Sequence, residues 1–256
     1  MNSYGSGKEH LVIPAGLDGL LVSKNSKIEW SIIMTGTIYI VSTPIGNLED
    51  ITLRALRILK EVDLIAAEDT RHTRQLLSHF DIHNRLESCH AFNEHGKVDS
   101  LLDLAENGSS IALVSDAGTP SVADPGFLLV REAAKRGLPV VVVPGVSALT
   151  FSVTASGLPV DKFAFRGFAP VKSGQREKFL TEILNLPFTT FFFESPYRVA
   201  KTLETLAAIS PDCQCAIIRE ATKLHEEVLR GTASELAALK RDWKGEFVIG
   251  VTPDFS

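Results

Sequence analysis

Several things are scarce or missing in this chain, and each absence narrows what it does. Only three cysteines occur in 256 residues, Cys89, Cys213 and Cys215, which suggests no disulfide framework. Cys213 and Cys215 would point to one face of a strand, and no ligand partners accompany them, so they read as ordinary buried thiols. No apolar run reaches the ~18 residues of a membrane span. Positive charge is not in excess: the formal net charge is -5, which argues against binding nucleic acid through bulk charge and leaves room for a local basic patch. The first 33 residues lack a basic start, one apolar block and a cleavage site, so no secretory signal is read and a cytoplasmic protein is expected. Gly5-Ser6-Gly7-Lys8 lacks the earlier glycine, the following Ser/Thr and the preceding strand of a phosphate loop. Met34 is read as a natural start, with residues 1–33 an extension or upstream misreading ahead of it.

What is present is a sizeable apolar fraction, 45%, in a regular pattern. The first half alternates strands (37–42, 64–67, 111–114, 138–143) with helices (53–62, 70–80, 98–106, 127–135). Asp124-Pro125 reads as the N-cap and first turn of the last of these helices. The run 138–143 is too apolar to face water and suits a parallel sheet covered on both sides. Ser147 is placed to cap a helix ending near Ser156, and Gly157-Leu158-Pro159 marks a boundary. Two α/β domains follow, 35–158 and 159–256. The second has strands near 162–167, 189–194, 215–219 and 246–252, with helices near 175–184, 197–209 and 233–240.

Chemistry gathers where the strands end. The longest such loop is Ser115-Asp116-Ala117-Gly118-Thr119-Pro120-Ser121-Val122-Ala123-Asp124-Pro125-Gly126. A connecting βα loop needs only about 2–6 residues. In open α/β sheets ligands bind at this edge. With Thr43-Pro44-Ile45-Gly46-Asn47 and Pro144 to Ala148, it forms three loops able to enclose one small ligand. Pro44, Val122 and Ala148 would wall an adenine and ribose, and helix-start N–H groups would hold an anionic group. Three ordinary capped turns fit the same spacing. No Gly-x-Gly-x-x-Gly follows the first strand, so a dinucleotide cofactor is not expected. Polar clusters stand at 68–74, 93–95, 193–198 and 219–223, each also compatible with a solvated face. His72 and His79 share a helix face without a carboxylate that would complete a metal site, so no metal is expected.

The loops, in this order, strongly resemble the tetrapyrrole methylase superfamily of S-adenosylmethionine-dependent methyltransferases. They are most similar to its ribosomal RNA small-subunit methyltransferase I family, which makes 2′-O-methylcytidine. The residues that carry this are Thr43 to Leu48, Ala66 to Arg71, Ser115 to Gly126, Pro144-Gly145, and Arg219-Glu220 with Thr222-Lys223. The similarity spans roughly 36–253. Porphyrin-modifying members have a glycine-rich first loop ending in Asp, which Thr43 to Asn47 replaces here. Ala221 stands where the family usually has Leu. Relatives commonly continue into a C-terminal helical segment, whereas this chain stops at Ser256.

The resemblance implies two α/β domains with S-adenosyl-L-methionine in the cleft between them, a homodimer, and 16S rRNA in the small ribosomal subunit as substrate. It places the cofactor on Thr43, Pro44, Gly46, Asn47, Ser115, Asp116, Gly118, Thr119, Val122, Ser147 and Ala148. Arg71, Arg74, Arg198 and Lys223 are the candidates for holding RNA. Methylating a weakly acidic ribose hydroxyl benefits from a general base, worth ~10²–10⁴-fold. Asp69, Glu94, Glu220 and Lys223 are the candidates, with Arg71 beside them. Lysine qualifies only if its pKa is lowered. A methyltransferase acting on a tetrapyrrole, and a non-catalytic ribosome-associated module, are the other readings.

Overall fold

The computed structural model describes residues 35–89, 94–124 and 126–253, without the side chains of 94 and 95. The expectations at Gly5 to Lys8, Met34, Asn93, Pro125 and the Glu94 side chain lie outside the described residues. Among them, no helix is long and apolar enough to cross a membrane.

The first sheet is parallel throughout. Its strands are β1 (Ile38–Val41), β2 (Leu64–Ala67), β3 (Leu86–Ser88), β4 (Ile111–Val114) and β5 (Val140–Val143), in the order β3-β2-β4-β1-β5. Alternate residues of one strand face opposite sides. Ile38 and Ile40 thus pack with α3 (Glu94–Glu106) and α4 (Phe127–Lys135). Val41 packs on the other side with α1 (Leu53–Glu61) and α2 (Thr70–His79). α1 begins where Thr52 accepts a hydrogen bond from Ala55 N–H, a cap worth about 1 kcal/mol. It buries Ala55, Ile58 and Leu59, three and four residues apart, against the sheet. Leu59→Ala would cost about 2–5 kcal/mol.

The second sheet is mixed. Its strands are β6 (Phe163–Phe168), β7 (Thr189–Glu194), β8 (Gln214–Arg219), β9 (Glu227–Thr232) and β10 (Phe247–Thr252), in the order β6-β7-β10-β8-β9. Only β6 and β7 run parallel. One face carries α6 (Ser173–Leu184), α7 (Val199–Ile209) and α8 (Ala233–Ala237) over a core that includes Phe192, Leu203 and Ile249. The other face carries α5 (Ala148–Ser156), whose Leu149, Phe151 and Val153 pack around Phe191, Ala216, Ile218 and Val248. α5 precedes the boundary expected near 158, yet it packs on this second sheet.

Several expectations need correction. β5 is an edge strand and Val142 is 55% exposed, so its apolar run is not covered on both sides. The N-cap of α4 is Gly126, two residues after Asp124, with φ +129, a backbone conformation that favours glycine. Ser147 occupies the N-cap of α5 without a side-chain capping bond. α3 starts before Val98, and α8 ends before Lys240. β9 and β3 were not anticipated: β9 is half-buried apart from the exposed Arg230 and carries Gly231 near its end, and β3 is three half-buried residues long. Cys213 and Cys215 are buried and reduced, with sulfurs 3.9 Å apart.

Candidate active site

The loops at the carboxyl edge of the first sheet are tied to one another. Thr43 and Gly118 exchange both backbone hydrogen bonds, at 2.9 and 3.0 Å. Ser42 and Thr119 hydroxyls lie 2.8 Å apart. Gly118 has φ +77, a left-handed conformation, and a Cβ there would stand 3.3 Å from Ile45 Cγ2. Ser121 and Ala123 also have positive φ although neither is glycine. Strain of this kind costs about 1–3 kcal/mol per residue and persists where the surroundings enforce it.

Two adjoining cavities open between these loops and the second sheet. The first, about 400 Å³, has apolar walls from Ile45, Val122, Ala148, Phe193 and Val248, with Thr119, Asp124 and Ser147 among its polar groups. The second, about 260 Å³, is lined by Thr43, Pro44, Gly46, Asp116, His72 and Gln75, with Lys223 alongside. Ile45, Ala117 and Glu246 border both. The residues expected around one ligand are therefore divided. Gly118, Thr119, Val122, Ser147 and Ala148 fall in the first cavity, and Thr43, Pro44, Gly46 and Asp116 in the second. Asn47 and Ser115 line neither. Asn47 caps a short 3₁₀ turn through Glu49 N–H, and the Ser115 carbonyl accepts from Thr43 Oγ1.

The second sheet closes the site with a charged tether. Lys223 Nζ lies 3.1 Å from both Glu220 Oε1 and Glu246 Oε1. Glu220 Oε1 also accepts from Glu246 N–H at 2.9 Å. Burial opposes charge on Lys223, but its two carboxylate partners outweigh it and raise the pKa. Lys223 is thus held as ammonium, the opposite of what a general base needs. Burial likewise pushes Glu220 up, and the Glu246 N–H and Lys223 more than offset it, leaving the pKa lowered. The Lys223 stem crosses Gly46 so closely that a Cβ there would stand 2.3 Å from Cγ. Any side chain at Gly46 would displace the tether.

On α2, Asp69 is the N-cap: its carboxylate accepts from Arg71 N–H and pairs with the guanidinium at 2.7 Å. The Arg71 side chain, followed by its backbone N–H, holds Asp69 far below the usual carboxylate range, which makes it a weak base. Asp69 N–H in turn donates to Asp116 Oδ1 at 3.0 Å. Burial, then repulsion from Asp116 and Asp124, raises the pKa of Glu68. Burial raises Asp124 too, with a Ser115 hydrogen bond pulling the other way. Arg198 does not reach outward as an RNA contact. It pairs with the fully buried Glu194 carboxylate at 2.8 Å, while Thr202 Oγ1 and Ser195 N–H donate to that same carboxylate. Glu246, His72 and Gln75 were not anticipated. The sequence signal for Glu246 is the Gly245 turn before the last strand, and that for His72 is its place in the polar cluster 68–74 and on one helix face with His79. Among the described residues, no three acidic, histidine or cysteine side chains group as for a metal.

A parallel sheet whose carboxyl-edge loops face a second, mixed sheet is the fold this chain shares with solved methyltransferases. The model of the tetrapyrrole (corrin/porphyrin) methylases matches residues 37–237, and the chain belongs to that family. Within it, the chain is 47% identical over 216 residues to the ribosomal RNA small subunit methyltransferase I of Halalkalibacterium halodurans, covering 84% of this chain and 75% of that protein. It is 48% identical over 219 residues to the protein of the same name from Xylella fastidiosa, covering 84% and 80%. Uroporphyrin-III C-methyltransferase from Thermus thermophilus, solved with S-adenosyl homocysteine, shares the fold at TM-score 0.57 and 21% identity, over 84% of this chain and 97% of that one.

Proposed function

We propose that this chain methylates 16S ribosomal RNA in the small subunit, transferring a methyl group from S-adenosyl-L-methionine to the ribose 2′-hydroxyl of a decoding-centre cytidine. The observation that carries the reading is the agreement between a divided cavity at the edge of the first sheet and 47–48% identity to relatives named as small-subunit RNA methyltransferases. The first cavity fits the cofactor: apolar Val122, Ala148 and Phe193 suit an adenine, and Thr119 and Ser147 suit its polar parts. Bound there, S-adenosyl-L-methionine would supply an electrophilic methyl group on a sulfonium, with a neutral thioether as the leaving group and the ribose oxygen as the nucleophile that loses its proton.

The chain's own part is alignment and proton removal. Asp116 and Glu246 line the second cavity and are the carboxylates best placed to accept that proton; Glu94 is kept as a further candidate. Arg71 and Arg74, exposed on α2, carry the positive charge toward RNA phosphates, and Lys223, held between Glu220 and Glu246, is kept as a further candidate. A homodimer belongs to the same proposal and is checked by light scattering. The test is incubation of small subunits lacking ribose methylation with the chain and methyl-labelled cofactor, then nuclease digestion and mass spectrometry. Label on one cytidine ribose is the expected result. Failure to bind the cofactor at all would overturn the reading.

A further inference from the structure

The second cavity offers a different chemistry from the first. It is smaller, about 260 Å³ against about 400 Å³, and its lining includes polar His72, Gln75 and Asp116. His72, Gln75 and Leu76 are three and four residues apart on α2, so they share one helix face. Leu76 is buried on that face, whereas His72 and Gln75 are exposed. Arg71 and Arg74 are exposed on the same helix, and Arg74 makes no ion pair with any described residue.

We infer that the second cavity receives the acceptor nucleotide, swung out of its RNA strand, and that His72 and Gln75 are its positioning residues. This rests on the proposed methylation of RNA. An in-line displacement needs the acceptor oxygen next to the methyl donor, and the two cavities share a wall. A cavity of this size admits one nucleoside and no paired duplex, so the target leaves its stack, as in other enzymes that act on single nucleotides. The Gln75 amide carries a donor and an acceptor side by side, matching a pyrimidine edge that presents both. The His72 ring offers a face on which a base can stack. Arg71 and Arg74 are on the helix that lines the cavity, suited to the phosphates on either side of the extruded nucleotide.

The test uses the full chain, its His72→Ala, Gln75→Ala and double variants, and Gln75→Glu, which keeps the length but loses the amide donor. Calorimetry measures S-adenosylhomocysteine affinity, thermal melting reports folding, and labelled methyl transfer into small subunits gives kcat and KM. The expected result is unchanged melting, cofactor affinity within about twofold of the parent, and subunit kcat/KM lower by about tenfold in each single variant, with Gln75→Glu impaired as well. Methylation at the parental rate overturns the inference. So does a loss of cofactor affinity of about tenfold or more, which would assign the second cavity to the cofactor. If the unaltered chain binds S-adenosylhomocysteine but labels no subunits, the RNA reading fails before any variant is compared, and this inference fails with it.

Discussion

The two sheets reach the same site by different means. In the parallel first sheet every strand ends at one edge, so the loops after β1, β4 and β5 converge there without special arrangement. In the mixed second sheet β9 and β10 run against β6, β7 and β8, and the turns that face the cavity come from strands of both directions: 195–196 after β7, 220–223 after β8, and 245–246 before β10. These turns are held by charge. Of the five described non-glycine residues with positive φ, four lie in the 115–126 loop or the 220–222 turn, Asp81 being the exception. Strain is thus gathered on both sides of the cavities. The first side stabilises it by backbone pairing, as between Thr43 and Gly118. The second uses buried or half-buried ion pairs, Glu194 with Arg198 and Lys223 with Glu220 and Glu246.

The largest effect expected from breaking that contrast is at Glu194. Glu194→Ala leaves the Arg198 guanidinium, only 22% exposed, without its partner. Removing one member of such a pair costs about 3–5 kcal/mol, to be read by urea denaturation. A cost below about 1 kcal/mol would mean that the charges on this side do not hold the turn. On the other side, Gly118→Val forces a β-branched residue into a left-handed conformation against Ile45. It should weaken S-adenosylhomocysteine binding on the order of 100-fold while the chain still folds. Unchanged affinity would remove the 115–126 loop from the cofactor site.

Arg74→Ala sharpens the comparison further, because Arg74 belongs to neither tether. It should weaken RNA binding by roughly 3–10-fold, lower the salt slope by about 1, and leave cofactor affinity alone. Arg71→Ala should act in the same direction, with the added loss of its partner to Asp69. Equal salt slopes for Arg74→Ala and the parent would exclude a phosphate contact.

Legibility in the sequence follows burial. The centre of the first sheet was readable because parallel strands buried on both faces are continuous apolar runs, and Leu64–Ala67 and Ile111–Val114 fall where expected, whereas the half-buried edge strand β3 carries no such signal and the edge strand β5 carries the run while only partly buried. Its loops were readable because glycine and polar residues are poor core material. β9 was not, since Glu227, Arg230 and Gly231 break the apolar pattern in a strand held mainly by its ladder with β8. The division of the loop residues between two cavities was also hidden, because it depends on how far the turns at Lys223 and Glu246 reach across. Arg198 looked like a surface charge because Glu194, four residues earlier, gave no sign of being fully buried. Nothing local marks a carboxylate whose partners are a threonine eight residues away and a backbone N–H.

The smallest effect tests whether the acidic edge is shaped for the site rather than for stability. Burial and repulsion from Asp116 and Asp124 raise the Glu68 pKa, so the folded chain binds this proton more tightly than the unfolded one. The group therefore favours the fold at acid pH and loses that advantage as pH rises through its unfolded value, 4.5, toward its higher folded one. Glu68→Gln carries no charge at any pH. The variant should match the parent below the unfolded value and exceed it at neutral pH by no more than about 0.5 kcal/mol, measured by denaturation at both pH values. A gain in stability accompanied by slower methyl transfer would show that the repulsion is kept because the site needs negative charge there. Loss of stability at neutral pH would show instead that the Glu68 carboxylate is a favourable partner of the 115–126 loop.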